Sequence, residues 1–208
     1  MPCLFILLSY GLYLLAGTPI EHYISTQIYA AIEMGNPDYQ FILPKDKELV
    51  NQDQDTKETV KTSEIKNPSV GEQYGMITCK DIDLRAPLYF GDTDEILEDG
   101  VGQYAKSKMP GFGGCILVGG HDSTFFAPLE TIEVGQKVVI NTEYGAYTYE
   151  VRETKVVKTE DIAACRLESE EEQLVLYTCY PFGKVLRARD ERYFVYCDKV
   201  SGPIVEED

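Results

Sequence analysis

Seven short runs of β-branched and aromatic residues, separated by turns that contain glycine, fill the stretch from Gly71 to Val200. They are Tyr74 to Cys79, Ile82 to Tyr89, Cys115 to Val118, Lys137 to Thr142, Tyr147 to Val157, Gln173 to Cys179 and Arg192 to Val200. Each has the length of a globular strand. Runs of period two, or of unbroken apolar residues, are what a sheet with one or both faces covered requires. Helical patterning is confined to Glu95 to Lys106 and a single turn within Asp161 to Leu167. A chain with many short strands and little helix must close its sheet on itself or stack it, so the expectation is a mainly β domain, a small barrel or sandwich.

The sequence before Gly71 has a different texture. From Met1 to Ile20 there is no charged residue, and a helix of that length reaches about 30 Å, the thickness of a bilayer's hydrocarbon core. An uncleaved membrane anchor is the reading adopted; a cleaved signal peptide and a core helix are its rivals. The signal peptide fits less well because the positive n-region is missing. Ile24, Ile28 and Ile32 then fall four apart ahead of Gly35 and Pro37, the pattern of a short amphipathic helix stopped by glycine. From Asn51 to Lys66 too few large apolar groups are present to offset the entropy of ordering. The expected organisation is therefore an anchor over 1–20, a juxtamembrane helix and flexible linker over 21–70, a β domain over 71–200 and an acidic tail over 201–208.

With 19 basic and 35 acidic side chains the formal charge is −16, a surface that repels nucleic acid and anionic membranes alike. Nucleic acid is excluded as the main ligand. Six cysteines and two histidines are present, without a CxxC pair or zinc-like spacing, so a structural metal is not expected. The cysteine spacing suits reduced, buried thiols.

One cysteine has an unusual setting. "LVLYTCYPFG" builds a strand, ends it on Cys179 and turns at once through Tyr180, Pro181 and Phe182. A structural thiol packs anywhere in a core and needs no such position. A reactive thiol does need company, because near a pKa of about 8.5 only a few per cent is thiolate at neutral pH. Lys184, Arg187, Arg189 and Arg192 crowd in just after it. Arg192, 13 positions on, opens the run "RYFVYC" and returns antiparallel if the intervening residues form a loop. Its guanidinium would then reach the same rim and meet a developing oxyanion. Arg187 and Arg189 compete for that role, since a one-residue slip in register changes which side chain points to the site. His121, in "VGGHDSTFF", follows an apolar strand directly and lies 58 residues from Cys179. Gly119 and Gly120 are read as the residues that let the backbone turn there. Taken singly, each of the three has an ordinary structural explanation.

Together, "LYTC", "GGHDSTFF" and "RYFVYC", with "GVGQYAKSKMPGFGG" ahead of them, resemble the sortases, cysteine transpeptidases that attach proteins to the Gram-positive cell wall. The likeness runs from about Gly71 to Val200. Val175-Leu176-Tyr177-Thr178-Cys179 is similar to the family's Thr-Leu-x-Thr-Cys, with valine for the first threonine. The resemblance implies an eight-stranded β-barrel with short helices. In it Cys179 attacks the Thr–Gly peptide of a Leu-Pro-x-Thr-Gly-like sorting signal, His121 protonates the departing amine, Arg192 holds substrate and oxyanion, and Thr178 contributes to the substrate pocket. The acceptor would be an amine of a peptidoglycan precursor or of another protein. The enzyme would sit in the cell membrane on a single span, with its catalytic domain outside.

The pilin-polymerising class usually carries an Asp-Pro-aromatic lid; the sequence has no Asp-Pro, and "TCYPFG" looks most like class D, with class A as the near alternative. Asp122 departs from the family, where a basic residue often follows the histidine. No cofactor is implied, although calcium binding by the acidic run Glu168 to Glu172 is an alternative to a solvated turn. The rival function is a catalytically silent sortase-like module that only captures sorting signals. A different cysteine hydrolase fits worse, because those with cysteine first place their histidine downstream and none follows Cys179.

Overall fold

The computed structural model describes residues 58–183 and 189–208; the expected anchor and amphipathic helix lie outside the described residues. Among the described residues there are ten strands: β1 (Thr59–Lys61), β2 (Gln73–Cys79), β3 (Leu84–Phe90), β4 (Val101–Gln103), β5 (Cys115–Gly119), β6 (Lys137–Thr142), β7 (Gly145–Lys158), β8 (Gln173–Tyr180), β9 (Glu191–Ser201) and β10 (Ile204–Glu206). Eight of them close into a barrel in the order β2-β3-β4-β5-β8-β9-β7-β6. Closure pairs every edge, which is how a short-stranded sheet avoids exposing unpaired backbone groups. The barrel expected from the sequence is therefore present, and each of the seven sequence runs supplies one of its strands.

The eighth, β4, falls within the stretch whose sequence predicts helix. Only Asp94–Asp99 is helical (α1), and the chain then straightens at once into β4. Three residues carry no usable periodicity. Pairing defines this strand: β4 lies parallel to β3 and antiparallel to β5. The single turn expected within 161–167 is present as a 3₁₀ turn, Ile162–Cys165.

Side chains alternate across the barrel wall. Leu174 and Leu176 of β8, Val195 and Cys197 of β9, and Ile116 and Val118 of β5 point into the interior. Their neighbours Val175 and Tyr177, Phe194 and Tyr196, and Cys115 and Leu117 form a second cluster with Ala164 and Val157. That second cluster is outside the barrel and is covered by the connection between β7 and β8. Both faces of β5 are consequently buried along its whole length, which explains why "CILVG" reads as a continuous apolar run rather than an alternating one.

Two strands fall outside the span 71–200. β1 and β10 pair in parallel as a separate ribbon, and the Val205 amide donates to the Gly111 carbonyl at 2.9 Å. At the same end, Glu172 accepts from Tyr149 at 2.9 Å, from the Gly111 amide at 3.1 Å and from Lys199 at 2.9 Å. The last acid of the run Glu168 to Glu172 is thus committed inward, to an ion pair. Among the described residues no cluster of three or more His, Cys, Asp or Glu side chains is arranged to hold a metal ion.

Candidate active site

β5 runs parallel to β8 with a constant offset, from Cys115 opposite Gln173 to Gly119 opposite Tyr177. That offset is 58 positions, the separation of His121 from Cys179. Beyond the end of β5 the alignment is carried on by the Gly120 amide, which donates to the Tyr177 carbonyl at 3.3 Å. It is carried on also by Thr178, whose hydroxyl donates to the Gly120 carbonyl at 2.7 Å. On the other side of β8, Cys179 is the direct antiparallel partner of Arg192 on β9. The register therefore sets Cys179 beside Arg192 across β8 and β9, and the Gly120 contacts bring the residue before His121 to the end of β8. Pleating places Cys179 on the face that also carries Val175 and Tyr177, outside the barrel.

On that outer face lies a stack of rings. Tyr177 stacks on Phe194 at 5.8 Å between centroids, and Phe194 on Tyr196 at 5.9 Å. Gly119 lies under Tyr177: a Cβ added there would meet the ring at 2.6 Å. At Gly120 a Cβ would meet Phe126 at 2.7 Å. Neither glycine is among those with positive φ. Their role is thus to admit aromatic rings rather than to permit a turn, which corrects the expectation from sequence.

Thr178, expected at the substrate pocket, is 1% exposed and points to the interior side of the wall. Its hydroxyl ties the residue before Cys179 to the residue before His121. On the same side, Tyr180, Pro181, Phe182 and Tyr193 join Val156 and Glu130 around a concavity of about 390 Å³. Tyr180 stacks on Tyr193 at 6.4 Å, and Phe182 meets Tyr193 edge-on at 5.3 Å.

Arg192 donates through one terminal nitrogen to the carbonyls of Arg189 and Glu191, both at 2.9 Å. Arg189 was a competitor for the arginine role in the sequence, and its guanidinium pairs with Asp122. The Asp122 carboxylate, 2% exposed, also accepts from the Gly183 amide at 3.1 Å. Burial pulls the Arg189 proton off, but Asp122 and then the Cys179 side chain hold it on, and its pKa ends above the ordinary value. No sequence signal gives this pairing, since Asp122 and Arg189 are 67 residues apart.

The five described cysteines are all free thiols. Burial pushes Cys115 up to about 12 and also raises Cys79, Cys165 and Cys197. These four are disfavoured as thiolates at neutral pH.

Comparison with known proteins agrees with this architecture. The family model described as Sortase domain matches residues 77–200. Sortase D of Bacillus subtilis (strain 168) is 35% identical over 134 residues, 64% of this chain and 67% of the relative. Sortase C from Clostridium perfringens SM101 superimposes with a TM-score of 0.58 at 24% identity, over 65% of this chain and 73% of that one. A Clostridium perfringens Sortase D5 transpeptidase gives 0.58 at 22% identity, over 65% and 83% of the two chains. Sortase A from Corynebacterium diphtheriae gives 0.56 at 26% identity, over 62% and 61%.

Proposed function

The chain belongs to the sortase family of transpeptidases, and from that premise we propose that it cleaves a Leu-Pro-x-Thr-Gly-like sorting signal through Cys179 and hands the acyl group to an amine. The observation that supports the reading is that Cys179 is the direct partner of Arg192 across β8 and β9, while the residue before Cys179 is bonded to the residue before His121.

The Cys179 sulfur attacks the threonine carbonyl carbon, and a C–S bond forms as the carbonyl oxygen takes up negative charge. Arg192 is the donor for that oxygen, because a guanidinium keeps its charge at any working pH. Collapse breaks the Thr–Gly C–N bond, and His121, as imidazolium, gives its proton to the departing glycine nitrogen. In the second half an acceptor amine attacks the thioester, the C–S bond breaks, and His121 takes the amine's proton back. Thr178 shapes the pocket from behind, by holding the ends of β5 and β8 in step. The enzyme is of class D type. Residues 1–20 anchor it in the membrane, and the catalytic domain works outside the cell on surface proteins bearing the signal.

The test is to incubate the protein with a Leu-Pro-x-Thr-Gly peptide and seek, by mass spectrometry, a thioacyl adduct on Cys179 and the released glycine fragment. Binding of the peptide with neither product would instead support a module that captures signals without cutting them.

A further inference from the structure

Arg189 is tethered at both ends, to the partner of Cys179 and to the neighbour of His121. Its backbone carbonyl accepts from Arg192 at 2.9 Å, and Arg192 is the residue opposite Cys179. Its guanidinium pairs with Asp122, which follows His121 directly. Asp122 is itself held, because the Gly183 amide, four residues beyond Cys179, donates to its second oxygen at 3.1 Å. A carboxylate buried this deeply is costly unless it is paired and hydrogen-bonded, and once paired it fixes its partner's position.

We propose that Arg189 is the cation that attends the Cys179 sulfur in the resting enzyme, and that Asp122 is the positioning residue that holds it there. Arg192 is then left for the substrate carbonyl, so the two arginines divide between the ground-state thiolate and the developing oxyanion. The Cys179 side chain contributes to holding the Arg189 proton, in keeping with that contact. Among the described residues, the charged and titratable groups on the elements around Cys179 include His121 just after β5, Glu191 and Arg192 on β9, and Arg189 with its partner Asp122. The inference rests on Cys179 being the nucleophile proposed above, but not on the sorting signal being its substrate.

The experiment measures the rate at which iodoacetamide alkylates Cys179 in the full chain as a function of pH, which needs no peptide substrate. Removing a cation beside a thiol disfavours the thiolate. R189M should therefore raise the apparent pKa of alkylation by about one unit, whereas R189K, which keeps the charge, should stay near the native profile. A profile for R189M that superimposes on the native one overturns the proposal. Positioning by Asp122 is read from D122N, which keeps an acceptor for the Gly183 amide but gives up the charge. D122N should lower the alkylation rate at neutral pH about threefold to tenfold in the native background and change it little in the R189M background. Equal losses in both backgrounds remove Asp122 from the role. The double variant D122N/R189M leaves no orphan charge buried, so it keeps the test alive if R189M alone unfolds. If R189M shows the shift while the native protein cleaves no sorting peptide, the proposed substrate falls and this inference stands.

Discussion

Thr178 and Gly120 are joined by a 2.7 Å hydrogen bond from hydroxyl to carbonyl, and they are the residues immediately before Cys179 and His121. This contact ties the residue before the thiol to the residue before the imidazole, just past the end of the β5–β8 ladder. T178V retains the shape but leaves the Gly120 carbonyl without its donor, and an orphaned buried acceptor costs about 1–3 kcal/mol. The expected result is a loss of stability in that range in denaturant unfolding, and a kcat for sorting-peptide cleavage that falls more than KM rises. T178S, which restores the donor, should recover most of both.

Removal of the proposed reacting groups should separate their roles. C179A should abolish turnover and leave no adduct. H121A and R192A should each lower kcat/KM by about 100-fold or more, the usual cost of losing an acid–base group or an oxyanion donor. Single-turnover assays with a sorting peptide check this, and near-native rates for either variant would remove that residue from its role.

Alkylation should discriminate sharply among the thiols. Burial holds Cys115 at about 12 and raises Cys79, Cys165 and Cys197, so at pH 8 the folded barrel should be labelled first on Cys179. Peptide mapping after brief iodoacetamide treatment reads this out. Cys79, Cys115 and Cys197 should react only once the protein is unfolded.

Stability should fall steeply in alkali. Burial raises Tyr74, Tyr144, Tyr147, Tyr149 and Tyr177 above the ordinary tyrosine value of 10.0. With the folded-state pKa above the unfolded one, the folded state binds more protons at high pH. Stability is therefore full below about pH 9 and drains as pH climbs through 10, by about 1.4 kcal/mol per pH unit for each tyrosine kept neutral. Thermal unfolding followed from pH 8 to 11 should show Tm dropping together with the appearance of tyrosinate absorbance. Tyrosinate forming well ahead of unfolding would contradict the burial.

Gly119 should not tolerate a side chain. The Cβ of G119A would meet the Tyr177 ring at 2.6 Å, and that ring is stacked on Phe194 and donates to Asp92 at 3.3 Å. Overpacking of this kind costs about 1–3 kcal/mol. Urea unfolding should show the loss, and in the double variant G119A/Y177L, where the ring is gone, most of it should be recovered.

Much of the barrel was legible from residues alone. Lys137 to Thr142 matches β6 to the residue, and the other six runs reach their strands within two positions at either end, because a half-buried or fully buried strand imposes its own periodicity. β4 was not legible: Val101–Gln103 is too short to show a pattern, and at Gly102 a Cβ would meet the Gly91 carbonyl at 2.4 Å, so its neighbours decide its shape. The glycines before His121 were visible, but the reason for them was not, since that reason is a ring contributed by β8 and another by Phe126.

From the linear order of residues came the strand content, the family, and the idea that Cys179, His121 and Arg192 act together. Those depend on local side-chain chemistry and on spacings carried in the chain itself. The pairing of Asp122 with Arg189, the inward turn of Thr178, and the covering of the outer face above Tyr177 and Phe194 were decided only by tertiary structure. Each depends on which strand lies beside which, and on the burial that pairing creates, so neither partner carries a mark of the other in its own stretch of sequence.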